Sequence, residues 1–277
     1  MTVILDPMTL PALSAQPDGQ PSWSARFLVT VRTCWRVSLF AAQIVVLAFM
    51  PSSYRTGTQR QRILTGIYWA TVPLLPSFIA LSSLLSLVLI RIVLVTAMSY
   101  GLSQYALGLL VRTLVIELIP LYAAMVVAVR YSLPSAHRIR ERLSDRSTGN
   151  DEPFESQLLR GELLPRALAA AFSVHFLATL SGLLALILTY MMVYGVSPWG
   201  LPVYTHHVGQ VFTPPATLIF ALKTFFFSLA VAIVPMAACI QLDTRGGYRR
   251  SSDIGEFARL FSIVLMIEVL SLIGNYY

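Results

Sequence analysis

The chemistry open to this sequence rests on a few ionisable residues set inside long apolar runs. Lys223 is the one lysine of the chain and stands in Leu222-Lys223-Thr224-Phe225-Phe226-Phe227. Glu117 lies three residues before Pro120, and Glu268 interrupts an otherwise uncharged C-terminal run that begins at 260. Arg91, Arg112 and His175 are embedded in the same way. A charge at bilayer depth costs about 2.5–3.5 kcal/mol on insertion scales, so such groups face a partner or a polar cavity. An ammonium with two carboxylates can hold an anionic headgroup, relay protons, or neutralise itself as a structural pair, and the sequence leaves these readings open. Arg91 and Arg112 lie within about three turns of the outer boundary, close enough to snorkel. His175 reads as an interhelical hydrogen-bond donor rather than a metal ligand. His206 and His207 have no third ligand nearby, so no metal site is expected. HExxH, GxSxG, Walker lysine and paired-acid motifs are missing, so neither catalytic residue nor cofactor is expected. Work against a gradient must then draw on a partner or an ion gradient.

The elements that position these groups follow from composition. Of 277 residues, 56% are hydrophobic and only 12% charged, against about 25% charged in a water-soluble domain. With a mean hydropathy of +0.70, this excludes a cytosolic enzyme, a secreted disulfide scaffold and a disordered chain. The net charge of +7 comes almost wholly from arginine. Those arginines sit in short clusters between apolar spans rather than on one polar face, so no nucleic-acid partner is expected. Cys34 and Cys239 lie in or beside apolar segments and read as small buried side chains.

Uncharged runs cover 37–54, 63–90, 92–111, 118–129, 167–222 and 224–242. Their length, their Leu and Ala content and their lack of alternation make them helices rather than barrel strands. Three basic clusters separate them: Arg55, Arg60 and Arg62; Arg130 to Arg166; and Arg245, Arg249 and Arg250. The connections near 98–104 and 195–211 and the tail Gly274–Tyr277 carry no Lys or Arg. Basic loops stay in the cytoplasm. The expected fold is therefore an all-α polytopic membrane protein with spans at about 68–97, 104–129, 164–194, 214–241 and 256–275, N-terminus inside and C-terminus outside. Residues 1–21 read as a disordered cytoplasmic tail. The stretch 22–54, basic on both sides of its apolar run, reads as an elbow helix in the inner leaflet anchored by Trp23 and Trp35, with a sixth span as the alternative. Within the five-span domain, 55–277, the cytoplasmic stretch 131–163 is long enough to dock a subunit. Arg138, Arg142, Asp145, Glu152 and Phe154 are its candidate contacts, and a plain solvated loop is the competing reading.

The order of several short motifs resembles a known family. Gly108-Leu109-Leu110-Val111, Ile116-Glu117-Leu118-Ile119-Pro120-Leu121 and a small-residue helix closing at Arg130 are similar to the second helix of the MlaE/YrbE-type permeases, the membrane subunits of ABC lipid transporters that work with MCE-domain proteins. Leu164-Pro165-Arg166, Lys223-Thr224 with Phe227, and Gly246-Gly247, Gly255 and Arg259 before Glu268 continue the likeness over roughly 55 to 277. Ile116 and Ile119 replace the family's arginine and glycine, and Asp145–Leu158 departs from its apolar coupling helix, which leaves open how an ATPase docks. The resemblance implies a lipid permease of the bacterial inner membrane. Its partners would be a cytoplasmic ABC ATPase, a periplasmic MCE-domain protein, a second permease copy or homologue, and lipid. It places Glu117 and Lys223 near the lipid cavity, with Glu268 and Arg91 completing the expected set. An ion-coupled carrier using Glu117, Glu268 and Lys223 as a relay, or a non-transporting scaffold half of a heterodimer, are the alternatives.

Overall fold

A computed structural model describes residues 42, 44–46, 57–146, 159–243 and 253–276. The tail 1–21, nearly all of the stretch 22–54, Gly246-Gly247, Glu152 and Phe154 lie outside the described residues. Ile44, from the expected elbow region, is helical and buried against the main core.

The described residues are helical throughout, joined by short turns and with no strand among them. Helix α1 (Gly57–Thr71) gives way to α2 (Leu75–Ser99) across Thr71-Val72-Pro73-Leu74, where Pro73 cannot continue the hydrogen-bond ladder and Pro76 suits the first turn of a new helix. After a tight turn at Gly101 (φ 70°), one long helical run follows. It comprises α3 (Ser103–Leu110), a π-helical stretch (Val111–Leu118), α4 (Ile119–Val127), a π turn (Ala128–Ser132) and α5 (Leu133–Arg146). A further π turn (Leu159–Leu163) leads into α6 (Leu164–Tyr194), which ends at Gly195, whose φ of 68° only glycine adopts freely. A 3-10 turn (Pro198–Gly200), α7 (Leu201–Val211), α8 (Pro214–Asp243) and α9 (Asp253–Tyr276) complete the order.

Five helical segments are long and apolar enough to cross a bilayer: Leu75–Ser99, Tyr105–Arg142, Gly161–Tyr194, Pro214–Ala237 and Ile254–Gly274. The chain is an all-α, polytopic membrane protein, as the hydropathy and loop pattern led one to expect. The second span differs in extent. Helix continues past residue 129, through the expected loop, to Arg146, because Ser132, Ala136 and Ile139 form a buried stripe that keeps this stretch against the bundle. The connection 195–211 is also more ordered than a loop. It folds into α7, which lays Tyr204 and its neighbours Val208 and Val211 against α3 and α6.

Helix α6 is the hub, packing against α1, α2, α4 and α8. Its inner stripe is built from small residues, including Ala167, Ala170, Ser173, Ala178, Ser181 and Ala185, all buried. Small side chains let helices approach closely where lipid supplies no hydrophobic drive for association. Gly66 of α1 is part of this fit, since a Cβ there would stand 3.5 Å from the Ala169 methyl. Thr71 and Ser173 hydroxyls meet at 2.8 Å across the same seam. Helix α9 is the most peripheral span. It packs chiefly on α8, through a stripe of Glu256, Leu260, Ile263 and Ile267 with Glu268 at its edge, while Phe261, Leu265, Met266 and Leu270 face outward.

Among the described residues, the first two basic segments converge at one end of the bundle. Arg62 donates to the Gly161 carbonyl at 3.4 Å, Arg142 and Arg166 flank Glu162 at 3.3 and 3.5 Å, and Arg166 also donates to the Ser135 carbonyl at 3.3 Å. The opposite end, formed by the turns near Gly101 and Gly195 and by α7, has no charged residue from Ala167 to Leu222.

Candidate functional site

The second, fourth and fifth spans each contribute one ionisable side chain to a single buried cluster. Lys223 enters from α8 and is 2% exposed, and its ammonium donates to Glu117 of the π-helical stretch. Glu268 of α9 brings an oxygen to 2.7 Å from the same nitrogen, a second ion pair. Lys223 Nζ also donates to the Ile116 carbonyl at 3.4 Å, and it lies 5.7 Å from the centre of the Phe227 ring, one turn along its own helix.

Local backbone explains why that carbonyl is on offer. In a regular helix the Ile116 carbonyl takes the N–H of residue 120, and Pro120 has none. The helix widens here into π geometry, with the Ile119 N–H reaching back to Leu114. Such bulges recur at functional positions, and this one turns Glu117 inward to a 6% exposed position. A second proline sits in α8 at Pro235. It leaves the Val231 carbonyl without its helical donor, and the buried Ser132 hydroxyl, from the other π turn of the second span, donates to that carbonyl. The second and fourth spans are thus joined at two points, each a proline-freed carbonyl met by a side chain of the other helix.

The family model described as Permease MlaE matches residues 63–269. The chain belongs to the MlaE permease family. No curated protein matches the chain significantly. The match takes in all three members of the buried cluster, the first four spans entire and the fifth as far as residue 269.

Arg91 does not join them. It lies on the exposed face of α2, away from the three. His175 also differs from expectation, since its ring bonds the Ala171 carbonyl of its own helix at 3.1 Å rather than a neighbouring helix. His206 pairs with Gln210 one turn on, at 3.1 Å. Of the candidate coupling residues, Arg138 and Arg142 are exposed near the end of α5, and Arg142 pairs with Glu162; Asp145 lies on the last turn of that helix.

One pair in the permease was not legible beforehand. Arg140 of α5 pairs with Glu256 in the first turn of α9, with side chains only 18% and 8% exposed. Arg140 is one of several arginines in a basic cluster, and no local pattern sets it apart. Glu256 carried a weak signal, an acid in the first turn of the last helix, where the helix dipole favours it. With Lys223 and Glu268, this second pair ties the peripheral α9 to the bundle at two levels.

The cluster holds one ammonium against two carboxylates in a region of low dielectric. All of the hydrogen-bonding capacity described for Lys223 is directed at protein groups. A ligand that engages this ammonium must displace a carboxylate, and the carboxylate it frees must find a proton or another cation. The site is therefore suited to exchange of partners rather than to passive burial of a headgroup.

Proposed function

We propose that this chain is the transmembrane subunit of an ABC-type lipid transporter, moving phospholipid or a related lipid between the bacterial inner membrane and a periplasmic MCE-domain protein. Two copies, or this chain and a homologue, pair in the membrane, and a separate cytoplasmic ATPase supplies the energy. The basic end of the bundle faces the cytoplasm and α7 the periplasm, with the N-terminus inside and the C-terminus outside. Family membership together with the buried Lys223–Glu117–Glu268 cluster across three spans carries this reading. Lys223 offers an anionic headgroup its one intramembrane ammonium when Glu268, the more exposed partner, swings away, and the Leu, Val and Phe surfaces of the spans accommodate acyl chains. The exposed end of α5, with Arg138 and Arg142, and the segment with Asp145, Glu152 and Phe154 form the ATPase contact.

The test is affinity purification of the chain from its native membrane, followed by reconstitution with the proteins that accompany it. The expected result is an ATPase and an MCE-domain protein in the preparation and ATP-dependent transfer of fluorescent phospholipid. A single-component preparation that moves lipid alone, or transport driven by a proton gradient without ATP, overturns it. The complete pairing of Lys223 favours a second reading, a scaffold half of a heterodimer. It gains if Lys223→Ala and Glu117→Ala assemble normally and leave lipid flux unchanged.

A further inference from the structure

The uncharged end of the bundle presents an apolar surface on a rigid support. Trp199 is 89% exposed and Val196 87% exposed, and Leu201 and Val203 are exposed beside them. A side chain left open at the tip of a mobile loop needs no explanation, but this turn is pinned. The Tyr190 hydroxyl donates to the Ser197 carbonyl. Gly200 lies so close to the Tyr194 ring that a Cβ would stand 2.6 Å from it, and only glycine fits that approach. Tyr190, Tyr194 and Tyr204 pack ring against ring, and the Tyr204 hydroxyl donates to the Leu186 carbonyl at 2.7 Å. The fold therefore holds Trp199 outward.

The bond to Leu186 also sets the depth of α7. Leu186 lies eight residues before the end of α6 at Tyr194, which at 1.5 Å per residue is about 12 Å below the helix end. Counted from Arg166, twenty residues of α6 bring the chain to Leu186, about the 30 Å of hydrocarbon a bilayer contains. α7 thus lies at the outer boundary of the hydrocarbon, alongside the last turns of α6 and the first of α3. Its faces agree with that level. Tyr204, Val208 and Val211 turn to the bundle, Thr205, His206 and Gln210 turn away from it, and Leu201 and Val203 flank the inner face.

We infer that the Val196–Val203 turn and α7 form an interfacial anchor seated in the leaflet at the uncharged end of the bundle, with Trp199 in the headgroup layer above α7 and lipid as its partner. Aromatic side chains settle at that level, and Tyr100 and Tyr105, both exposed at the same end of the bundle, extend the belt. The surface carries no charge with which to select a protein partner, whereas an apolar tip backed by a polar helix face matches a leaflet boundary. The inference needs only that the chain spans a bilayer; that the leaflet is the outer one rests on the orientation proposed above.

The test is depth-dependent quenching in phosphatidylcholine–phosphatidylglycerol vesicles holding the full chain with Trp23→Phe, Trp35→Phe and Trp69→Phe, which leaves Trp199 as the one emitter. Phosphatidylcholine brominated near the carbonyl end of its acyl chains is expected to remove most of the emission, lipid brominated deeper is expected to remove less, and aqueous iodide is expected to have little effect. A fluorophore on Val196→Cys, in a chain with Cys34→Ser and Cys239→Ser, is expected to respond the same way and guards against a poorly folded tryptophan variant. Strong iodide quenching with no response to brominated lipid, at both positions, overturns the anchor and marks the turn as a surface awaiting a protein.

Discussion

Ser132 donates its hydroxyl to the carbonyl of Val231, the backbone acceptor that Pro235 leaves without a helical donor. The arrangement makes a proline in the middle of a membrane span tolerable, because a freed carbonyl in a dry interior is satisfied from the neighbouring helix. It also makes the serine and the proline conditional on each other. Ser132→Ala strands a buried carbonyl and is expected to destabilise the chain by about 1–3 kcal/mol. Pro235→Ala restores an N–H to the helix and removes the need for the serine. In a double-mutant cycle read by thermal unfolding in detergent, Ser132→Ala is expected to cost much less in the Pro235→Ala background. Equal costs in both backgrounds count against the joint.

Lys223 presents an asymmetry of a different kind. Removing the ammonium leaves Glu117 and Glu268 facing each other at bilayer depth, and breaking a buried pair from one side costs about 3–5 kcal/mol. Lys223→Met is therefore expected to be the most damaging single change in the cluster. Glu268→Gln, which leaves the Lys223–Glu117 pair intact, is expected to be milder. The triple change Lys223→Met, Glu117→Gln and Glu268→Gln is expected to recover much of the loss while abolishing any role in transport. Detergent melting curves and lipid flux, measured on the same preparations, separate the two contributions. A triple variant no more stable than Lys223→Met contradicts the charge account.

Lys223, Glu117 and Glu268 stood out because an ionisable group in an uncharged run has few explanations, and the structure brings all three together. Arg91 carried the same signal and lies on the outward face of α2. Span length alone does not set the rotation of a helix about its axis. The five spans were legible for the same reason as the charges, since bilayer thickness imposes a length. The continuation to Arg146 was not, because Ser132, Ala136 and Ile139 form a weak stripe among arginines and its meaning depends on α8 being beside it. The Ser132–Val231 joint was beyond reach for a similar reason: Pro235 is visible in the chain, but the donor that meets the Val231 carbonyl lies 99 positions from that carbonyl.

The Arg140–Glu256 pair holds the start of α9 against α5 and is much less exposed than Arg142 and Glu162 nearby. Burial weakens salt screening, so the two pairs are expected to respond differently. Glu256→Gln is expected to loosen the start of α9, with faster proteolysis near Asp253 at both low and high ionic strength. Glu162→Gln is expected to have at most a small effect that disappears as salt rises. Restoration of protease resistance by the swapped pair Arg140→Glu with Glu256→Arg identifies charge complementarity as the cause. No change in the Glu256→Gln digest argues that α8 alone retains the last helix.

Tyr204, buried under the outer turn and beside Tyr194, has its phenol pushed up to about 12 from an ordinary value of 10, chiefly by loss of water and secondarily by its neighbour. The folded state thus holds this proton more tightly than the unfolded chain. The stabilisation is complete below pH 10 and is lost as the pH rises from 10 toward 12. Alkaline titration followed by phenolate absorbance is expected to show late-ionising tyrosine absorbance that diminishes in Tyr204→Phe. The same variant removes the bond that ties α7 to the Leu186 carbonyl of α6, so α7 is expected to detach more readily even at neutral pH, raising the exposure of Trp199 to aqueous iodide. An unchanged titration curve in Tyr204→Phe assigns the late proton to another residue, and unchanged quenching shows that the ring stacking with Tyr190 and Tyr194 suffices to hold the turn.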